Sequence, residues 1–307
     1  MTINRIVSFL PSATELIYAL DAQDRLFGVT HECNFPKDAS KKPNVIESVF
    51  EPKKMSSKEI DEKILDLVSN KQDIYELQIE NLKNANPDLI ISQEICEVCS
   101  AYTNQVDYAM KILDKKPELF VMNPHDIEDI LSNVSEISKK IDAYEKGTKL
   151  VNSLKKRIKY FNEKQISAKP KVLAIEWIEP FYTSGHWIPE MIELVGGENL
   201  ISKKSEHSRK MSFDEIKDSD PDIIIMMPCG FDVQRTVMEY NKNLKNNLEW
   251  KNLRAVIQKN VFAVDANSFF SKPSIRTITG IEILAKIIHP DKFYETKIPN
   301  ESFRKIN

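Results

Sequence analysis

Short apolar runs alternate with longer segments of helical periodicity over the first 125 positions. Four runs rich in β-branched residues predict strands at residues 5–10, 26–30, 88–92 and 119–122. Between them, apolar residues recur at three- and four-residue steps, as in residues 13–20 and 78–84. The run Leu89-Ile90-Ile91 is typical of a strand that helices cover on both faces. This alternation predicts βαβ units around a mostly parallel sheet.

A long helical stretch follows Pro124. Apolar residues recur at helical spacing over residues 126–141, and a second periodic run covers residues 143–164. At about 1.5 Å per residue, the second run forms a helix roughly 30 Å long. We therefore predict a rigid connecting helix rather than a loop.

The strand and helix alternation resumes after Pro170. The pattern predicts strands at residues 171–177, 222–227 and 261–264, and helices at residues 188–195, 213–217 and 275–288. The predicted fold class is α/β, with two Rossmann-like lobes of mostly parallel sheet joined by one long rigid helix. The predicted boundaries are an N-terminal lobe over 1–125, a helical segment over 126–168 and a C-terminal lobe over 169–307.

Composition narrows the function classes. The chain has 307 residues, 43 Lys+Arg against 46 Asp+Glu and a net charge of −3, so it has no basic surface suited to nucleic acid. It has only 7 glycines and neither G-x-G-x-x-G nor G-x-x-x-x-G-K-[ST], which excludes nucleotide binding by those loops. Polar residues such as Arg5 and Glu15 interrupt the first apolar stretch, and no run reaches 18 apolar residues. We therefore expect no membrane span and a location in the cytoplasm. We also expect a monomer.

Chemically distinctive residues follow the predicted strands. Ligands of open α/β sheets bind beyond the carboxyl ends of the strands. With these strands, all four cysteines, two of the three tryptophans and two of the five histidines lie at this one edge. A cleft between the lobes that is lined by large aromatic side chains suits a large, flat ligand. The aromatic candidates are Trp177, Tyr182, Trp187, Phe269 and Phe270.

Several motifs in order resemble a known family. They are IVSFLPSATE at 6–15, NPDLI at 86–90, TSG at 183–185 followed by GGEN at 196–199, and SKPSIR at 271–276. Together they resemble the substrate-binding proteins of cobalamin and iron-siderophore uptake over nearly the whole chain. Residues 30–33, 74–77, 96–99 and 176–187 are most similar to a cobalamin-binding branch that often lacks an export signal.

The resemblance implies two α/β lobes that close slightly on a corrinoid. It puts pocket aromatics near Tyr75 and on Tyr182, and a closing-loop acid and base at Ser268 and Lys272, so the acid is missing here. His186, Trp187 and Phe269 are the proposed substitutes. In exported members, one carboxylate on each lobe binds arginines of a transporter permease, and the matching positions are Glu80 and Asp214.

These observations predict a non-enzymatic corrinoid-binding protein that captures and delivers a cobalamin. No Ser-His-Asp or Cys-His order with a nucleophile turn is present, so we do not expect an enzyme. The candidate ligand-binding residues are Tyr75, Gln93, Trp177, Tyr182, His186, Trp187, Phe269 and Arg276.

Two alternatives remain open. Cys96 and Cys99 form a C-x-x-C that His31 and Cys33 could complete as a zinc site; a reversible disulfide or buried, inert thiols are also consistent with the spacing. A metal- or thiol-dependent enzyme would use Cys33, Cys96 and Cys99. The other alternative is the exported substrate-binding component of an ABC transporter for cobalamin, iron-siderophore or heme, with a permease as its partner.

Overall fold

Two six-stranded sheets form the core of the fold within residues 2–95, 103–164, 166 and 168–306, which the computed structural model describes. Each sheet belongs to one of two units. Unit 1 consists of Met1–Met55, Glu62–Pro124 and Glu128–Ser153, and unit 2 of Ser56–Asp61, His125–Ile127 and Leu154–Asn307. The α/β fold class is therefore confirmed. The lobe boundaries predicted from the sequence stay predictions.

Unit 1 contains a mostly parallel sheet. Its strands are β1 (Ile6–Ser8), β2 (Leu26–Thr30), β3 (Asn44–Ser48), β4 (Tyr75–Leu77), β5 (Leu89–Gln93) and β6 (Glu118–Met122). The strand order is β4-β3-β2-β1-β5-β6, and every pairing is parallel except that of β3 with β4. β1 and β5 are buried along their whole length, as their apolar sequences require.

Helices connect and cover these strands. They are α1 (Pro11–Ala19), α2 (Ser57–Ser69), α3 (Ile79–Ala85), α4 (Thr103–Ile112), α5 (Ile127–Lys140) and α6 (Tyr144–Asn162). α1 begins with Pro11 at its first position, where the missing N–H of proline costs no hydrogen bond. α6 corresponds to the predicted connecting helix, and its 19 residues correspond to about 28 Å.

Unit 2 repeats the strand and helix alternation. Its strands are β7 (Lys171–Trp177), β8 (Tyr182–Thr183), β9 (Glu198–Asn199), β10 (Ile223–Met226), β11 (Val261–Val264) and β12 (Phe303–Ile306). The order is β12-β11-β10-β7-β8, and β9 also pairs with β7. β7, β10 and β11 are parallel, whereas β8 and β12 are antiparallel to their neighbours.

The helices of unit 2 place residues at the ends of these strands. They are α7 (Ile188–Leu194), α8 (Phe213–Ser219), α9 (Val233–Asn243), α10 (Leu248–Lys251), α11 (Arg254–Ile257), α12 (Ala266–Phe269) and α13 (Thr277–Ile288). Ser212 caps α8 through a reciprocal capping box with Glu215. Trp250 and Tyr240 are fully buried in the hydrophobic core, where the indole N–H donates to the phenol oxygen over 3.3 Å.

The part of α6 that lies in unit 2 is bound to α13. Arg157 donates from Nε and Nη2 to the two carboxylate oxygens of Glu282, each over 2.8 Å, and from Nη2 to Thr279 Oγ1 over 2.9 Å. A bidentate pair of this kind fixes geometry as well as adding energy. None of the helices in the described residues has the length and apolar character needed to cross a membrane.

Candidate functional site

Trp177 and Tyr182 are cross-strand partners at the carboxyl end of β7. Trp177 is the last residue of β7, and it pairs with Tyr182 of the antiparallel strand β8. Directly opposed residues have Cβ atoms about 5 Å apart, so the two side chains are neighbours. Both are half-buried. This pairing brings two of the predicted ligand-binding residues together.

Phe231 extends this aromatic group from the neighbouring strand. It follows β10 after Gly230, whose φ of 75° is the left-handed conformation that glycine adopts readily. The rings of Trp177 and Phe231 have centroids 5.3 Å apart at an interplanar angle of 63°. The guanidinium of Arg235, in the first turn of α9, lies 3.7 Å from the centroid of the Phe231 ring. This is a cation–π contact, and burial lowers the pKa of Arg235.

The first turn of α2 contacts the same aromatic group. The indole N–H of Trp177 donates to the carbonyl oxygen of Ser57 over 3.2 Å. The hydroxyl of Ser57 donates to Glu239 Oε2 over 2.9 Å, and Asn243 Nδ2 donates to the same oxygen over 3.0 Å. Ser57 is fully buried and Glu239 is buried as well. All of these residues belong to unit 2.

Tyr182 contacts the same turn through Asp61. Its hydroxyl donates to Asp61 Oδ1 over 3.4 Å, and Lys210 Nζ lies 3.5 Å from Asp61 Oδ2. Lys210 Nζ also lies 5.7 Å from the centroid of the Tyr182 ring. Burial, together with the negative charge of Asp61, raises the pKa of the Tyr182 phenol. The phenol is therefore protonated, and remains a hydrogen-bond donor, at neutral pH.

Three histidines form a second group in unit 2. The ring centroid of His186 lies 4.9 Å from that of His207 and 5.9 Å from that of His125. The centroids of His125 and His207 are also 5.9 Å apart. His186 adopts a left-handed conformation with φ of 52°. The pKa of His186 is lowered to about 4, first by burial and then by the charges of His207 and His125. We call His125, His186 and His207 the histidine cluster.

Trp187 and Phe269 occupy buried positions. Trp187 is 4% exposed, stacks on His186 with centroids 5.5 Å apart, and donates its indole N–H to the carbonyl oxygen of Phe270 over 3.0 Å. Phe269 is 8% exposed, and the guanidinium carbon of Arg276 lies 5.6 Å from its ring centroid. The ligand-binding roles of these residues stay predictions.

In unit 1, the candidates lie at the ends of strands and on a helix surface. Tyr75, the first residue of β4, is buried, and its ring centroid is 6.1 Å from that of His31. Gln93 ends β5 and is buried too. Glu80 is exposed in the first turn of α3, and in unit 2 Asp214 is exposed in the first turn of α8.

The predicted zinc ligands are only partly described. Cys96 and Cys99 lie outside the described residues. Cys33 is buried and its Sγ lies 3.1 Å from Thr14 Oγ1, and His31 Nδ1 lies 3.2 Å from the Ile46 carbonyl oxygen. No three His, Cys, Asp or Glu side chains in the described part of the chain are placed to hold a metal ion. The described residues therefore give zinc no support.

Sequence reasoning missed Phe231 of the aromatic group and the polar residues that contact the group. Phe231 follows a predicted strand, so its position was a usable signal, and Arg235 lies one helical turn further along the chain. Ser57 and Asp61 gave no signal, because they are about 120 residues away from their partners Trp177 and Tyr182. Only the folded chain brings them together.

The comparisons with known proteins agree with this fold. The chain belongs to the periplasmic binding protein family, whose pattern matches residues 6–268. It is 24% identical over 299 residues to the uncharacterized ABC transporter substrate-binding lipoprotein YvrC of Bacillus subtilis, covering 95% of this chain and 82% of that one. It is 22% identical to the vitamin B12-binding protein of Vibrio parahaemolyticus, covering 91% and 87% of the two chains. The crystal structure of a periplasmic heme-binding protein from Pseudomonas aeruginosa has the same fold, with a TM-score of 0.73 at 15% identity, covering 99% and 98%.

These findings confirm two predictions and correct a third. The family resemblance is confirmed, and so is the prediction of a binding protein rather than an enzyme, since the family is one of binding proteins. The prediction of a cytoplasmic location is wrong. The matched family is that of the periplasmic binding proteins, and the Bacillus relative is a lipoprotein. The interrupted apolar stretch at the start of the chain was insufficient ground for that prediction.

Proposed function

We propose that this chain is the substrate-binding component of an ABC importer, works outside the cytoplasmic membrane, and binds a corrinoid of the cobalamin type. Family membership and the names of the two curated relatives support the importer role. This proposal replaces the intracellular carrier that the sequence favoured. The relatives include both vitamin B12-binding and heme-binding proteins, so the choice of ligand rests on this chain's own residues.

The observation that carries the ligand proposal is the aromatic group, in which Trp177 and Tyr182 are half-buried and Phe231, which is 1% exposed, packs against Trp177 from the core side. It lies at the carboxyl ends of β7 and β10, where open α/β sheets bind their ligands. A large aromatic side chain has 150–250 Å² of surface and few rotatable bonds. The exposed parts of Trp177 and Tyr182 are the surface that a ligand can contact. A corrin ring presents a broad apolar face that suits such a surface.

Polar groups in unit 2 suit the periphery of a corrinoid, which carries amide side chains and a phosphate. Arg276 is half-buried at the start of α13. Lys272, in the loop between α12 and α13, donates from Nζ to Asn267 Oδ1 of α12 over 2.8 Å. Both cations can donate to amide oxygens and to phosphate. Tyr75 and Gln93 are the groups that we propose from unit 1.

Titration of the purified chain tests the ligand. We expect cyanocobalamin, hydroxocobalamin and adenosylcobalamin to bind with 1:1 stoichiometry and micromolar or tighter affinity by calorimetry, and hemin and a ferric siderophore to bind far more weakly. Trp177→Ala should weaken cobalamin binding at least about tenfold, because it removes the largest side chain of the aromatic group. Tyr294→Ala, at an exposed tyrosine on the C-terminal segment, is the control and should bind as the parent does. Tight binding of hemin or the siderophore without cobalamin binding would reject the corrinoid.

Glu80 and Asp214 are the proposed permease contacts. Both carboxylates are exposed, so each can meet a cationic partner without unfolding. Charge reversal by Glu80→Lys and Asp214→Lys should lower uptake of the ligand in cells and leave its affinity for the purified protein unchanged. Normal uptake by the double variant would remove these two residues from the interface.

A further inference from the structure

The hydrogen-bonding groups of the two neighbouring aromatic residues point to one turn of helix. The indole N–H of Trp177 donates to the Ser57 carbonyl, and the hydroxyl of Tyr182 donates to the Asp61 carboxylate. Ser57 and Asp61 are four positions apart at the start of α2, so they lie on the same face of that helix. One helical turn therefore contacts both side chains.

That turn is fixed by a buried polar anchor. The Ser57 hydroxyl donates to Glu239, which also accepts from Asn243. Ser57 is 0% exposed and Glu239 is 7% exposed. If the two groups separated, the Ser57 hydroxyl and the Glu239 carboxylate would each lose a hydrogen bond while they are still buried. Leaving buried polar groups unsatisfied costs free energy. The anchor thus favours a turn that stays in place over one that lifts away.

Asp61 connects the phenol to a cation. Its two carboxylate oxygens face the Tyr182 hydroxyl at 3.4 Å and Lys210 Nζ at 3.5 Å. Lys210 is in turn aligned with Tyr182 by a backbone bridge between the two residues. The carboxylate is therefore held from two sides, which restricts the positions that the Tyr182 ring can adopt.

We infer that Ser57 and Asp61 are positioning residues that hold Trp177 and Tyr182 in the orientation that binds ligand. This inference rests on the proposed function, because it assigns the aromatic group to the ligand. It predicts that part of the ligand affinity depends on the first turn of α2, where the Ser57 carbonyl and the Asp61 carboxylate contact the two aromatic side chains. Holding the rings in advance lowers the entropy cost of binding.

A double-mutant cycle on Asp61 and Tyr182 tests the positioning. Asp61→Ala and Tyr182→Phe should each weaken cyanocobalamin binding about five- to tenfold, and the double variant should bind no more than about twofold more weakly than either single variant. Asp61→Asn retains an acceptor oxygen and should restore most of the affinity. Glu62→Ala removes the same charge at the exposed neighbouring position and should bind as the parent does. Parental or tighter binding by Asp61→Ala would overturn the inference, and tighter binding would mean that the turn covers the rings.

A second measurement needs no ligand. Trp187 and Trp250 are 4% and 0% exposed, so fluorescence quenching by acrylamide reports mainly on the half-buried Trp177. Glu239→Ala releases Ser57 and should raise the quenching constant about twofold, whereas Glu239→Gln retains an acceptor and should stay near the parent. Unchanged quenching in Glu239→Ala would overturn the assignment of Ser57.

The two measurements separate the inference from the function on which it rests. If the parent binds none of the cobalamins while quenching rises in Glu239→Ala, the proposed function fails and the turn still positions Trp177. If the parent binds cobalamin while both Asp61→Ala and Glu239→Ala behave as the parent, the function stands and the positioning role fails.

Discussion

The imidazole rings of His186 and His207 meet edge to face, with centroids 4.9 Å apart and an interplanar angle of 85°. The ring of His125 lies 5.9 Å from each of them. Adding a proton to His186 places a charge in a partly desolvated position beside two other basic rings. Both effects oppose the charge, and the pKa of His186 is accordingly lowered to about 4.

Unit 2 should lose stability as the pH falls from about 6.5 to about 4. In the unfolded chain His186 titrates near 6.5, so over this window the unfolded state binds more protons than the folded state. The contribution of neutral His186 is fully present above pH 6.5 and no longer changes below pH 4. The shift corresponds to at most about 3 kcal/mol, and residual solvent exposure of the ring reduces the expected loss to roughly 2 kcal/mol.

Urea unfolding at several pH values between 4.5 and 7.5 measures this effect. His186→Asn removes the titrating ring, and asparagine tolerates the left-handed backbone at this position. The free energy of unfolding of this variant should depend less on pH than that of the parent. Leu248→Ala, at an exposed residue without a titrating side chain, is the control and should keep the parental pH dependence. Parallel pH curves for the parent and His186→Asn would contradict the prediction.

Gly185 is the residue that allows the histidine cluster to form. A Cβ at this position would lie 2.5 Å from the Ser208 backbone nitrogen and 2.9 Å from the Glu206 carbonyl oxygen. The same two chain segments are joined by a hydrogen bond from His186 N to Glu206 O over 2.7 Å. Gly185→Ala must therefore push the segment that carries His207 away from His186.

We expect Gly185→Ala to lower the free energy of unfolding by about 2–3 kcal/mol and to weaken the pH dependence described above. Gly230→Ala is the comparison, because a Cβ there meets nothing within 4 Å and only the positive φ opposes it. It should cost about 1 kcal/mol and leave the pH dependence intact. Equal effects of the two substitutions would show that close packing at Gly185 is unimportant.

The sequence predicted strands with continuous apolar centres better than short strands that contain polar residues. β7 and β11 have the predicted bounds, because each contains a continuous run of four buried apolar residues. β3 and β4 were not predicted. Polar residues such as Asn44, Glu47 and Glu76 interrupt their short sequences, and their pairing joins segments about 30 residues apart. Short, partly polar strands of this kind depend on tertiary pairing more than on local preference.

In the candidate site, too, the sequence indicated residues close to a recognisable strand and missed those that only the fold brings near. Trp177 and Tyr182 could be named as candidate ligand-binding residues because both lie close in sequence to a recognisable strand end. Ser57 and Asp61 were not, since only long-range folding puts α2 against them. The histidine cluster was missed because His125 and His207 come from two loops without a recognisable pattern.

The ion pair between Arg157 and Glu282 should stabilise the attachment of α6 to α13. Arg157→Lys retains the charge but loses the bidentate geometry and the bond to Thr279. We expect the free energy of unfolding to fall by about 1 kcal/mol, because Arg157 is partly exposed and solvent screens the pair. Lys156→Ala, at the exposed neighbouring position, should change stability by less than about 0.5 kcal/mol. A loss in Arg157→Lys no larger than that of the control would show that charge alone holds the helices.

Trp177 and Trp187 should respond oppositely to the same substitution. Trp187 is buried and its indole N–H satisfies the Phe270 carbonyl, so Trp187→Phe leaves an unpaired acceptor and a gap. We expect it to lower the free energy of unfolding by about 2 kcal/mol. Because only 4% of the side chain is exposed, we expect cobalamin affinity to change less than about twofold, contrary to the ligand-binding role that the sequence predicts for Trp187. Trp177 is half-buried beside Tyr182, so Trp177→Phe should cost less than about 1 kcal/mol of stability and weaken cobalamin binding at least about fivefold. Denaturant unfolding and calorimetric titration of both variants give the four values. A loss of affinity confined to Trp187→Phe would move the ligand from the Trp177 group to the histidine cluster, on which Trp187 stacks.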